Sequence, residues 1–337
     1  MPSSDHHSPR LCFASVAFGG YERYAPLFAY TALRLVPGAK VVVHLDAEPS
    51  ETMEKWARRA ESVYGGEVVY ETRHLHRFER VWGSLHLIGG VKKAARWVND
   101  GASYTDCDVV LTGDVDTVFL ERTGWCLDDH LSFMGRTGLP LSNKQRADGH
   151  RLSGYSHLVA AKDYFAAVEP TVQQLLSNRE DVARIHQRLC ELRQRTSGGQ
   201  NRVARDENVL WWICNESFDL APLQDWALEP AIPGLHLGPG RAGARRLAAK
   251  GLNDSQRRTI SALAAALDAD DHLRELVSEI DDDRLWSLLI VAGFQPPEWG
   301  RREMAQWRVR AAWQRAKAPI GRRLDGYRVL GRTHARG

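Results

Sequence analysis

No apolar run in this chain approaches the ~20 residues that a membrane-spanning helix needs. A spanning helix is therefore not expected. The stretch from Met1 to Arg10 is polar and lacks an apolar h-region, so no secretory signal is expected there. Cysteine is scarce: Cys12, Cys107, Cys126, Cys190 and Cys214 are odd in number and scattered, with no zinc-type spacing. That argues against a disulfide framework, and free buried thiols in a reducing cytoplasm fit best. There is no internal repeat and no long low-complexity tract.

What is present is a chain of 337 residues, 43% hydrophobic and 26% charged, as expected of a soluble protein with one large domain or a domain plus an appendage. The net charge of +3 is unevenly spread. Residues 301–337 hold 11 Lys/Arg against 2 Asp/Glu, a local charge of +9, so the remainder is mildly acidic. Basic tails of this kind favour anionic membranes or nucleic acid.

Short β-branched runs alternate with helical patterns over the first third of the chain. Strands are expected at Leu11–Phe18, Ala39–Leu45, from Glu67 to Tyr70, and at Val109–Thr112. Helices are expected at Tyr24–Leu35, at Ser50–Tyr64 with Ser50 as N-cap, and at Val81–Val98. The alternation predicts βαβ units and a mainly parallel sheet flanked by helices, a Rossmann-like α/β fold. Further on, His157–Ala161 reads as a strand, Asp163 into the 170s and Asp181–Gln194 as helices, and Thr196–Asn201 as a loop able to close on a ligand. Asp206–Cys214 reads as a helix start, and Leu228–Leu237 as a loop or short strand. From Asp254 the chain is Ala/Leu/Arg-rich and helical. The expected organisation is a tail over residues 1–10, a catalytic α/β domain over 11–245 and a helical basic extension over 246–337.

The segment Asp106-Cys107-Asp108-Val109-Val110-Leu111-Thr112-Gly113-Asp114-Val115-Asp116 carries the chemistry. An apolar strand ends in Gly113 and an Asp-x-Asp pair, and ligands of open α/β sheets bind beyond the carboxyl ends of strands. Two carboxylates there suit Mn²⁺ or Mg²⁺ on a diphosphate. Asp106 and Asp108 enter the strand, roughly 20 Å away at ~3.3 Å per residue, and read as solvated entry residues. Asp206 and Glu207 open a helix, where they either complement its dipole or act on a reacting sugar as nucleophile or base. Phe18, Gly19 and Tyr24 follow the first strand and are either a plain turn or a nucleotide edge, with a ring to stack on a base.

Asp114-Val115-Asp116-Thr117-Val118-Phe119 and Asp206-Glu207-Asn208-Val209-Leu210 resemble the metal-binding and Asp-Glu-x-x-Leu-Asn segments of the histo-blood-group A/B and α-galactosyltransferase family. Trp211 stands where that family has asparagine. Tyr155-Ser156-His157 resembles its acceptor-binding segment, and Arg80-Val81-Trp82 is a weaker match. A partial resemblance to the glycogenin and lipopolysaccharide-galactosyltransferase family rests on Gly234-Leu235-His236-Leu237-Gly238-Pro239-Gly240-Arg241, set against a late His-x-x-Gly-x-x-Lys motif.

These resemblances imply a GT-A-like fold and a retaining, hexosyltransferase-like enzyme that moves a sugar from a nucleotide diphosphate, foremost a UDP-sugar, to a glycan or lipid-linked acceptor. They imply Glu207 as nucleophile with Asp206 beside it, Asp114 and Asp116 as metal ligands, and Tyr155 and His157 at the acceptor. His236 is a third metal ligand or a turn histidine, and Arg241 a diphosphate contact. Trp299, Trp307 and Trp313 lie among arginines and either pack on the catalytic body or rest on an anionic membrane surface. The expected setting is cytoplasmic and peripheral to the membrane, in surface-polysaccharide assembly, without nucleic acid. The rival classes are a nucleotidyl- or phosphotransferase and a non-catalytic carbohydrate-binding protein on the same fold.

Overall fold

The computed structural model describes residues 9–73, 97, 104, 106–147, 149–177, 179–196, 206–237, 254–280 and 285. The chain forms two compact units, Met1–His236 and Leu237–Gly337.

The first unit is built on a six-stranded mixed sheet. Its strands are β1 (Leu11–Ala17), β2 (Lys40–Leu45), β3 (Glu67–Thr72), β4 (Val109–Thr112), β6 (Leu141–Gln145) and β7 (Leu152–Ala160). Their order is β3-β2-β1-β4-β7-β6. The first four are mutually parallel, as the alternating pattern predicts. Strand β7 runs antiparallel to β4 and to β6, because a short hairpin reverses the chain between β6 and β7. All seven residues of β1 and all four of β4 are buried, as expected for strands covered on both faces.

Helices flank the sheet. Helices α1 (Ala25–Leu35) and α2 (Glu51–Tyr64) pack through Tyr30 against Trp56, ring centroids 5.8 Å apart. Ser50 caps α2 by accepting from the Met53 amide at 3.3 Å. Met53, Trp56, Ala57 and Ala60 form the buried stripe of α2, at helical spacing. Helix α3 (Leu127–Thr137) precedes β6. Helices α4 (Ala161–Ser177), α5 (Arg179–Thr196) and α6 (Asp206–Ser217) follow β7, with α4 and α6 packed together. A two-stranded ribbon joins β5 (Thr117–Phe119) to β8 (Gly234–His236).

The sequence pattern shows neither α3, β5 nor β6, and β7 starts five residues before the expected strand. A three-residue strand is too short to display a period. Asp106 and Asp108 hold the amino-terminal end of the sheet. Asp106 meets Arg10 at 2.7 Å and Lys40 at 3.0 Å, and Asp108 accepts from the Arg10 amide at 2.8 Å. All five cysteines are free; Cys12, Cys107 and Cys214 are buried, whereas Cys190 is half-buried and Cys126 exposed.

In the second unit, α7 (Asp254–Ala269) and α8 (Asp271–Ile280) pack together, as the helical pattern predicts. Asp270 caps α8 at the Leu273 amide, 3.0 Å. Among the described residues no helix is long and apolar enough to cross a membrane. The expected helix over Val81–Val98 (apart from Trp97), the Arg80-Val81-Trp82 segment, the loop residues 197–201 and the Trp299–Lys317 segment lie outside the described residues.

Candidate functional site

Strand order reverses between β1 and β4: β2 and β3 continue on one side of the pair, β7 and β6 on the other. That reversal is where open α/β sheets form a ligand crevice. The Asp-x-Asp pair sits at the carboxyl end of β4, on its edge. Gly113 prolongs the parallel pairing by donating to the Ala14 carbonyl at 3.0 Å, and its own carbonyl accepts from Ser15 Oγ at 2.8 Å. The Thr117 amide then returns to the Asp114 carbonyl at 3.0 Å, closing a tight turn that carries both carboxylates. Val115 and Asp116 are 3% and 4% exposed, so Asp116 is a buried acid. A Cβ at Gly113 would meet nothing closer than 3.6 Å, so the turn does not depend on glycine there.

The ribbon supplies the third group. Thr117 pairs with His236, Val118 with Leu235 and Phe119 with Gly234. Phe119 anchors its side of the ribbon in the core, 4.8 Å from Phe13 and 5.0 Å from Phe28 between ring centroids. Its amide also donates to Thr31 Oγ1 at 3.1 Å. Gly234 lets the strands approach: a Cβ there would collide with the Val118 carbonyl oxygen and lie 2.9 Å from Phe119 Cα. His236 Nε2 thereby lies 3.2 Å from both Asp114 Oδ2 and Asp116 Oδ1. One ligand atom from each of the three residues falls within 4.8 Å of the others. Two carboxylates and an imidazole at that spacing fit a divalent cation. Burial would lower the His236 pKa, but hydrogen bonds and charges from Asp114 and Asp116 outweigh it and raise it to about 10.

Tyr155, on β7, stacks beside this centre: its ring lies 5.5 Å from that of His236, at 14° between planes. The guanidinium of Arg146 stands 5.2 Å from the Tyr155 centroid. Arg146 and Arg151 flank the β6–β7 turn, joined by an amide-to-carbonyl bond of 2.9 Å. Both reach Glu207 in the first turn of α6: Arg146 Nη2 donates to Oε1 at 2.9 Å and Arg151 Nη1 to Oε2 at 3.2 Å. Asn208 Nδ2 donates to the His150 carbonyl at 2.9 Å, fastening α6 to the same turn. Trp211, where the resembled family has asparagine, packs edge-on against His150 with centroids 4.9 Å apart. Asp206 is the first residue of α6 and half-buried.

The remaining predicted residues fall in different settings. His157 is fully buried, its Nδ1 2.9 Å from Asn143 Nδ2 and its ring against Tyr164. It is a core side chain in this structure. Phe18, just after β1, is half-buried, and Gly19 turns the chain with φ +57°, a conformation that favours glycine. Tyr24 is fully buried, and Tyr21, three residues earlier, is 39% exposed. Arg241 lies outside the described residues. Sequence reasoning missed Arg146, Arg151 and Tyr21. Two arginines bracketing a Gly149 turn are a visible signal, but their common partner on α6 is not.

No protein-family model matches the chain, and no curated protein matches it in sequence. Among solved structures it is similar to the glycosyltransferase GlyE of Streptococcus pneumoniae, with 12% identity over 63% of this chain and 44% of that one, TM-score 0.34. It therefore spans less than half the length of GlyE. It is also similar to the galactosyltransferase LgtC in complex with donor and acceptor sugar analogues, with 16% identity over 60% of this chain and 69% of that one, TM-score 0.34. For S. aureus TarS the identity is 11% over 84% of this chain and 90% of that one, TM-score 0.31. Likeness this distant carries no argument about activity. The mixed, mainly parallel α/β sheet of this chain stands on its own strand order.

Proposed function

We propose that the chain is a metal-dependent glycosyltransferase, acting on a nucleotide-diphosphate sugar and a glycan or lipid-linked acceptor. The observation that carries this reading is the convergence of Asp114, Asp116 and His236 at the carboxyl end of β4, where the strand order reverses. These three residues would hold the metal, and a mixed oxygen and nitrogen set suits Mn²⁺ better than Mg²⁺, which prefers oxygen alone. When bound, the ion would stabilise negative charge on the leaving diphosphate.

The chain's own residues would do the rest. Tyr21, exposed just past β1, offers a ring face for the base, with Gly19 allowing close backbone approach. Glu207 is the carboxylate we assign to the anomeric carbon, with Asp206 beside it. Both of its oxygens are held by arginine, which orients it. Attack by Glu207 requires one of those contacts to open. Tyr155, half-buried beside His236, is the residue we assign to the acceptor side of the site.

A thermal-shift panel of UDP-, GDP- and dTDP-sugars, with and without Mn²⁺, tests the donor site. The expected result is a shift with one nucleotide, UDP foremost, that needs the metal. Free nucleoside diphosphate as product is expected; pyrophosphate would instead indicate nucleotidyl transfer. The product anomer, read by NMR, is expected to retain the donor configuration, and an inverted product would recast Asp206 or Glu207 as a base. Asp116→Ala is expected to abolish transfer while the fold persists. Normal turnover by that variant would remove the metal assignment.

A further inference from the structure

Glu207 sits on α6 and the three metal-site residues on the β4–β5 turn and β8, yet an unbroken row of side chains joins them. Glu207 Oε1 accepts from Arg146 at 2.9 Å. The Arg146 guanidinium rests 5.2 Å from the centre of the Tyr155 ring. That ring lies nearly parallel to the His236 imidazole, at 14° and 5.5 Å. His236 Nε2 faces both Asp114 and Asp116 at 3.2 Å. We propose that Arg146 and Tyr155 are positioning residues that couple Glu207 to the metal centre. The inference rests on the reading of Asp114, Asp116 and His236 as a metal site.

Restraint of the His236 ring is the physical basis of this coupling. An imidazole binds a metal well only if its ring is held at the right angle, and losing a group that holds it typically costs about ten- to a hundredfold in affinity. Here the flat face of Tyr155 restricts rotation of the His236 ring. Tyr155 is in turn weighted by a guanidinium, an attractive contact for an aromatic face. A long, flexible arginine would not stay there unaided. Glu207 fixes it with a charge-assisted bond, and Arg151 at 3.2 Å on the other oxygen keeps the carboxylate from swinging away. Half-burial of Glu207, Arg146, Arg151, Tyr155 and His236 makes these contacts stronger than their exposed equivalents. Coupling of this kind is reciprocal: a change at Glu207 alters metal affinity, and metal binding alters the freedom of Glu207. A carboxylate that must release one arginine to act would then be released in step with events at the metal.

The test reads Mn²⁺ affinity of the full chain from the electron paramagnetic resonance signal of free Mn²⁺, without any substrate. Arg146→Met and Tyr155→Leu are each expected to weaken Mn²⁺ roughly tenfold, in the range seen for residues that orient metal ligands. Glu207→Gln, although no ligand, is expected to weaken it several-fold in the wild-type background. In either the Arg146→Met or the Tyr155→Leu background, Glu207→Gln is expected to have no further effect. Arg146→Lys, which keeps the cation, is expected to recover most of the loss. Circular dichroism checks folding, and the two backgrounds give independent cycles should one variant fail to fold. Equal losses from Glu207→Gln in all backgrounds, or no loss in the wild type, would overturn the coupling while leaving the metal site standing. A wild-type chain that binds no Mn²⁺ would overturn the metal reading, and the coupling with it.

Discussion

His236 Nε2 faces two carboxylates at 3.2 Å each, and a proton or a metal can fill the space between, but not both. With its pKa raised to about 10 from 6.5, the imidazole is protonated in the metal-free protein near neutrality. Metal binding must displace that proton, so Mn²⁺ affinity is expected to rise with pH, with release of about one proton per ion near neutral pH. Calorimetry in buffers of different ionisation enthalpy reads that number directly, and zero release would place His236 outside the coordination shell. In the metal-free protein the sign is opposite. A histidine whose folded pKa is raised stabilises the fold fully below pH 6.5 and loses that contribution as pH climbs to about 10. The melting difference between wild type and His236→Ala, in chelator, is expected to shrink over that window. A difference that stays constant across it would mean the imidazolium is not paired with Asp114 and Asp116.

The β5–β8 ribbon is only three residues long on each side, and its strands approach closely at Gly234. Gly234→Ala forces a methyl group into the Val118 carbonyl. The expected cost is about 1–3 kcal/mol, as for other overpacked sites. Because His236 is two residues further along the same strand, the variant is also expected to weaken Mn²⁺. Chemical denaturation and metal titration check the two effects separately; unchanged values in both would show that the ribbon tolerates a Cβ and does not set the position of His236. The β6–β7 hairpin acts on the other side of the site. Its two arginines meet Glu207, and Asn208 ties α6 to its turn, so hairpin and helix are fixed as one piece.

At the scale of the molecule, parallel pairing of β1 with β4 brings together residues 98 positions apart, such as Ser15 and Gly113. That pairing puts the turn after β1, our proposed nucleotide edge, and the acidic turn after β4 at the same end of the sheet. All three metal-site candidates belong to the unit Met1–His236. The basic stretch over 301–337, charge +9, belongs to the other unit. Removing residues 301–337 is expected to weaken binding to anionic liposomes, measured by co-sedimentation at low and moderate salt, because each cation near such a surface is attractive only within the screening length. Unchanged sedimentation would assign the tryptophans of that stretch to packing instead.

The sequence by itself determined what depends on neighbours in the chain. Strands β1, β2 and β4, the capped helix α2 and the placing of Asp114 and Asp116 just past a buried strand are all written in local patterns of burial and capping. The direction of β7 and the existence of β5 and β6 were decided by pairing partners distant in sequence, which short strands do not announce. Tyr24 and His157 look like site residues locally, and packing placed both in the core. Glu207 was visible as an acid at a helix start, but nothing near it in sequence reveals that Arg146 and Arg151 grip both its oxygens. His236 became a metal-site candidate with defined geometry only when an antiparallel ribbon laid it against Asp116. The physical reason is the same in each case: local propensity fixes which element forms, while the partner of a charged or aromatic side chain is fixed by which elements the sheet brings side by side.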